Sequence, residues 1–73
     1  MNHKQEFGQI LKELRKKHGF TQKELAELSG LSQIFITKLE KGERNPSIET
    51  LFMLGKAFQM SGSTILAKVE KMY

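Results

Sequence analysis

Cysteine is absent from the 73 residues, so the chain has no disulfide framework and no thiolate site, and thiol catalysis is excluded. That absence fits a reducing cytoplasm, which is the expected location. Aspartate is missing as well. The two histidines, His3 and His18, stand 15 positions apart with no further ligand at metal-binding spacing. No metal site and no cofactor are therefore expected. Without a Gly-rich phosphate loop or a Ser, His and Asp set, enzyme activity is not expected either. No apolar run approaches the roughly 18 residues of a membrane span, and the opening MNHKQEF lacks the apolar core of a signal peptide. The expectation is a chain that stays out of the membrane and is not processed.

What is there is a small, basic chain. Seventy-three residues read as one domain, near the lower limit for a single hydrophobic core that has neither disulfides nor metal, so dimerisation is expected from size alone. Twelve Lys and Arg against eight Glu leave a net charge of +4, which favours a polyanionic partner. The excess is unevenly spread. Residues 1–18 carry Lys4, Lys12, Arg15, Lys16 and Lys17 against Glu6 and Glu13, whereas residues 19–31 are net acidic. These are local clusters within patterned segments, not a charged tail.

The apolar residues repeat with a helical period throughout. Phe7, Ile10, Leu11 and Leu14 mark an amphipathic first helix over about 4–17, with Gly19 placed to stop it and His18 suited to its C-terminal end. Thr21 opens TQKE, a capping box for a short second helix over about 22–29. Gly30 can take the left-handed conformation that ends a helix, and Ser32 caps a third helix running to about Lys41, before Gly42. Pro46 marks the boundary before Ser47 caps a fourth helix, with Ile48, Leu51, Leu54, Gly55 and Phe58 as its stripe. Ser61 caps a fifth helix over about 62–72, carrying Ile65, Leu66, Val69 and Met72. No strand alternation, repeat or linker appears. The expected fold is all-α, a compact bundle of five short helices.

The second and third helices, joined by a tight turn, have the contacts of a helix-turn-helix over about 22–41. Ala26 is small where two helices cross, Gly30 makes the turn, and Leu25, Leu31, Ile36 and Leu39 point into the shared core. Counted from Gln22, the Ala, Gly and Ile fall fifth, ninth and fifteenth. Through TQKELAELSGLSQIFITKLEKGERNPSIETL, the chain resembles the Xre family of Cro- and CI-like repressors over about residues 7–66. The resemblance implies a lambda-repressor-like fold and a sequence-specific double-stranded DNA-binding regulator.

The third helix carries Ile34, Phe35 and Ile36 side by side. At about 100° per residue the three span about 200°, wider than one buried stripe. With Ile36 and Leu39 on the buried face, Ile34, Lys38 and Lys41 lie roughly opposite. Gln33 and Thr37 follow one flank and Phe35 the other. In this motif the second helix enters the major groove with its N-terminal residues at the base edges. Gln33, Ile34, Thr37 and Lys38 are the candidate base readers: Gln suits adenine, Lys suits guanine, and Ile suits a thymine methyl.

The remaining site residues follow from the resemblance. It gives Gln22 a phosphate contact and a brace on Gln33. It gives Lys41, Arg44 and Asn45 the phosphates beyond the recognition helix. Lys23 and Lys17 add weaker phosphate attraction, while Glu43 departs from the basic residue often found in that loop. Phe35 either packs into the core or lies beside the sugar-phosphate backbone, as an aromatic often does here in the family. Arg15 and Glu40 occupy positions that form a partly buried ion pair in the family.

Met53 lies on the side of the fourth helix that the family usually leaves polar, and Phe52 stands beside it. With Ile65, Leu66, Val69, Met72 and Tyr73, they make more apolar surface than one small core covers. Either the fifth helix folds over the fourth within one subunit, or Phe52, Met53, Ile65, Leu66, Val69 and Met72 also lie at an isologous homodimer interface, and the second is expected. Such a dimer would bind an approximately palindromic operator. With no small-molecule effector domain expected, control would come through protein concentration or a partner such as RNA polymerase. The alternative is a protein-interaction module, an antitoxin binding a toxin partner, with DNA binding secondary.

Overall fold

The computed structural model describes residues 3–71. Five helices follow one another: α1 (His3–Lys17), α2 (Gln22–Ser29), α3 (Gln33–Glu40), α4 (Ile48–Phe58) and α5 (Gly62–Glu70). The described residues contain no strand. No helix among them is long and apolar enough to cross a membrane.

Local chemistry starts and stops these helices where the sequence places the signals. The Thr21 hydroxyl accepts from the Glu24 amide at 3.0 Å while the Glu24 carboxylate accepts from the Thr21 amide at 2.8 Å, which closes the capping box of α2. Ser32, Ser47 and Ser61 accept from the amides of Phe35, Thr50 and Thr64 and so cap α3, α4 and α5. Gly30 ends α2 at φ 82°, a left-handed conformation that costs a side-chain-bearing residue far more. At the end of α1, the Leu14 carbonyl accepts twice from His18, from its backbone amide at 3.0 Å and from its ring Nδ1 at 2.9 Å.

All five helices contribute to one core: Phe7, Leu11 and Leu14 from α1, Leu25 from α2, Ile36 and Leu39 from α3, Leu51, Leu54 and Phe58 from α4, and Ile65 and Val69 from α5. The His18 ring lies 5.5 Å from that of Phe20 and 5.0 Å from that of Phe58, closing the core at the end of α1. Helix α1 crosses α3 closely at Gly8. A Cβ there would stand 2.4 Å from the Leu39 carbonyl oxygen and 2.8 Å from that of Glu40. Only a residue without a side chain permits this approach, which sets the position of α3 against the body of the protein.

The structure corrects part of the expected dimer interface. Ile65 is 1% exposed and Val69 is buried beside it, so both belong to the core of a single subunit. They are four residues apart on one face of α5, which packs against α1 and α4. Leu66, turned about 100° from Ile65, faces outward instead. Met53 is half-buried, and its Cε lies 3.4 Å from the place where a Cβ on Gly30 would stand. It therefore reaches the turn of the helix-turn-helix within the same chain. Met72 and Tyr73 lie outside the described residues. The expected stripe of α4 is corrected at one end: Ile48 is 73% exposed. It is the first residue of the helix, and its side chain leans toward the N-terminus, away from the turns that pack.

Candidate nucleic-acid interface

Helix α3 divides by side-chain direction. Ile36 and Leu39 are fully buried, whereas Gln33 is exposed and Ile34 is 70% exposed on the first turn. Lys38 is half-buried. Exposing an isoleucine to this extent gains nothing from the subunit's own core, so this face has apolar surface available for a partner. Phe35 is half-buried and packs against the core. About 70° separates it from the centre of the buried stripe, close enough for the ring to reach inward. Of the two places expected for Phe35, the core contact is the one present within the chain.

A hydrogen-bonded cluster holds α3 from behind. Arg15 of α1 meets Glu40 in a two-pronged pair, Nε to Oε2 at 2.6 Å and Nη2 to Oε1 at 3.2 Å, with side chains 12% and 5% exposed. A third donor of the same guanidinium, Nη1, reaches the Phe20 carbonyl at 2.9 Å. Arg15 therefore ties the end of α3 to α1 and to the turn before α2. The planar fork of arginine suits this arrangement, and the desolvated carboxylate needs it.

Gln22 completes the cluster and corrects the expected brace. Its Nε2 donates to Glu40 Oε1 at 3.0 Å, and its Oε1 accepts from the Thr37 hydroxyl at 2.8 Å. It thus bridges to the middle and end of α3, not to the Gln33 side chain. The rotation of the helix accounts for this: Gln33, Thr37 and Glu40 follow one flank, and Gln22 faces its C-terminal half. The Thr37 hydroxyl also lies 3.0 Å from the Gln33 carbonyl, so its single hydrogen is shared between two acceptors and its position is fixed. The half-buried Thr37 presents less surface than Gln33 or Ile34.

Lys23 at the start of α2, Lys41 at the end of α3, and Arg44 and Asn45 in the following loop are all exposed. Lys12 and Lys16 were not singled out as site residues from the sequence. They line a cleft with Gln22, Thr37 and Lys41 between α1 and α3. Their spacing of four places them on one face of α1. Only the crossing of the two helices brings that face to the recognition helix.

The fold and the family are shown by comparison with known proteins. A helix-turn-helix family profile matches residues 11–65. The chain is 38% identical over 64 residues to the uncharacterized HTH-type transcriptional regulator y4dJ of Sinorhizobium fredii, covering 88% of this chain and 83% of that protein. It is 38% identical over 64 residues to the HTH-type transcriptional regulator PuuR of Escherichia coli, where 88% of this chain spans about a third, 35%, of the relative. The crystal structure of the restriction-modification controller protein C.AhdI from Aeromonas hydrophila has a TM-score of 0.81 at 35% identity. That match covers 85% of this chain and 94% of the controller protein.

Proposed function

Because the chain belongs to the Xre-type helix-turn-helix family of DNA-binding transcriptional regulators, we propose that it regulates transcription as a homodimer on an approximately palindromic operator. Helix α3 enters the major groove, with Gln33, Ile34 and Lys38 as the principal base readers and Thr37 as a positioned, partly covered one. Lys23, Lys41, Arg44 and Asn45 hold backbone phosphates. Gln22 acts mainly by fixing Thr37 and Glu40.

The observation that carries this reading is the face of α3 opposite Ile36 and Leu39. There Ile34 is exposed next to Gln33, on the turn that a helix-turn-helix presents to base edges. An apolar group beside an amide matches the major-groove edges of thymine and adenine. The fixed cluster behind the helix supports it, since base discrimination needs side chains held on a rigid element.

The homodimer part rests on an apolar groove of about 300 Å³ between α4 and α5, lined by Ile48, Leu51, Phe52, Gly62 and Leu66. Phe52 is 66% exposed there. Two copies meeting at these residues would present two recognition helices to one face of the duplex, about 34 Å apart. Selection of binding sites from random duplexes tests both parts. Enriched two-fold symmetric sites with half-sites one helical turn apart are expected. Recovery of unrelated sequences would refute specific recognition, and single half-sites would refute the dimer.

A further inference from the structure

We propose that the cleft between α1 and α3 is a seat for a DNA backbone phosphate, with Lys12 and Lys16 supplying its cationic wall opposite Lys41. The proposal rests on the DNA-binding reading above and adds to it a contact from the first helix. The cleft has a volume of about 390 Å³, and its lining includes Lys12, Arg15, Lys16, Gln22, Glu40 and Lys41.

Two of these charges are accounted for, because Arg15 and Glu40 neutralise each other at 2.6 Å. Three lysines remain, and none has a carboxylate partner among the described residues. The seat therefore carries a net charge of +3, from three Lys, one Arg and one Glu. Three like charges converging on one cleft repel each other, and a phosphate between them relieves that repulsion.

Position singles out a DNA strand as the source of that phosphate. Thr37 stands on the flank of α3 and Lys41 at its C-terminal cap, and both line the cleft. A strand whose bases meet Gln33 and Ile34 carries its sugar-phosphate chain along a flank of the recognition helix. The Gln22 amide near this route donates one of its two hydrogens to Glu40 and accepts from Thr37, which fixes its position. Lys12 and Lys16 line the same cleft and supply the positive charge that a neutral amide lacks. They also give the first helix a direct part in setting the protein's register on the duplex.

The test is the salt dependence of binding to a duplex selected from random pools, comparing wild type with Lys12→Gln/Lys16→Gln. Glutamine keeps the polar surface and removes the charge, and a melting curve checks that the fold is intact. Each phosphate neutralised contributes a slope of about −0.9 in log K against log salt. The slope should therefore become shallower by about 0.9 per chain on the DNA, or about 1.8 for a dimer. That corresponds to roughly 60-fold weaker binding at about 0.1 M salt relative to 1 M, with the ranking of base substitutions unchanged. As a control, Lys68→Gln/Lys71→Gln on α5 should leave the slope unaltered.

An unchanged slope in the α1 variant, with wild type still binding specifically, overturns the seat and leaves the DNA-binding reading standing. A changed base ranking also overturns it, because the lysines would then act through the recognition helix. Wild type that shows no salt-dependent duplex binding overturns both.

Discussion

Replacing Arg15 by alanine should be among the most damaging single substitutions in this chain, although it removes no apolar core residue. The guanidinium donates to both Glu40 oxygens and to the Phe20 carbonyl, and Glu40 is 5% exposed. Without Arg15 the carboxylate keeps Gln22 as its remaining side-chain partner. Leaving one partner of a buried pair uncompensated costs about 3 to 5 kcal/mol. A chain of this length has a total stability on the order of 4 to 11 kcal/mol, so much of the margin would be lost. Even the lower figure corresponds to a fall in melting temperature of about 12 to 24 °C. Urea unfolding followed by helical circular dichroism measures the loss. Substituting both partners with methionine should recover part of it, because no buried charge is then stranded. If Arg15→Ala costs less than about 1 kcal/mol, the pair behaves as an exposed one and the account of how α3 is held fails.

Gly8→Ala places a methyl group against two backbone carbonyls of α3. It should lower stability by about 1 to 3 kcal/mol through overpacking, in a thermal melt where Gly19→Ala, strained in backbone but unobstructed, serves for comparison. Ile34→Ala should leave the melting temperature nearly unchanged and weaken operator binding by about 1 kcal/mol, in proportion to the apolar groups lost from contact. Replacing the contacted thymine with deoxyuridine should weaken wild type and not the variant, and equal loss in both would remove Ile34 from the groove. Lys38→Ala should cost about 1 to 3 kcal/mol at one base position, whereas uniform loss across sequences would place Lys38 on phosphate. For the dimer, wild-type melting temperature should rise with protein concentration and that of Phe52→Glu should not. Sedimentation of the variant as a dimer would exclude the groove between α4 and α5.

Within each helix, much of this protein was legible from its sequence. The capping box at Thr21, the serine caps, the turn at Gly30 and the division of α3 into Ile36 inside and Ile34 outside all depend on neighbours within four residues. Backbone hydrogen bonding and a rotation of about 100° per residue set those relations before any tertiary contact forms. Arg15 and Glu40 are 25 residues apart. Their pairing was available through family resemblance, not through local rules.

The tertiary structure decided which helical faces meet. Ile65 and Leu66 are adjacent and equally apolar, yet one is buried and the other borders a groove, because α5 offers only one face to α1 and α4. Ile48 belongs to an apolar stripe by spacing but sits on the first turn of its helix, beyond the packed part. Gln22 could not be matched to Thr37 and Glu40 until the crossing of α2 and α3 was known. Lys12 and Lys16 are ordinary surface lysines on a helical projection, and they become part of a cleft only because Gly8 lets α1 approach α3. Sequence by itself determined the five helices and the faces each one carries, since those follow from local geometry. Their partners came from packing, where shape and the absence of one side chain at Gly8 fixed how the faces were joined.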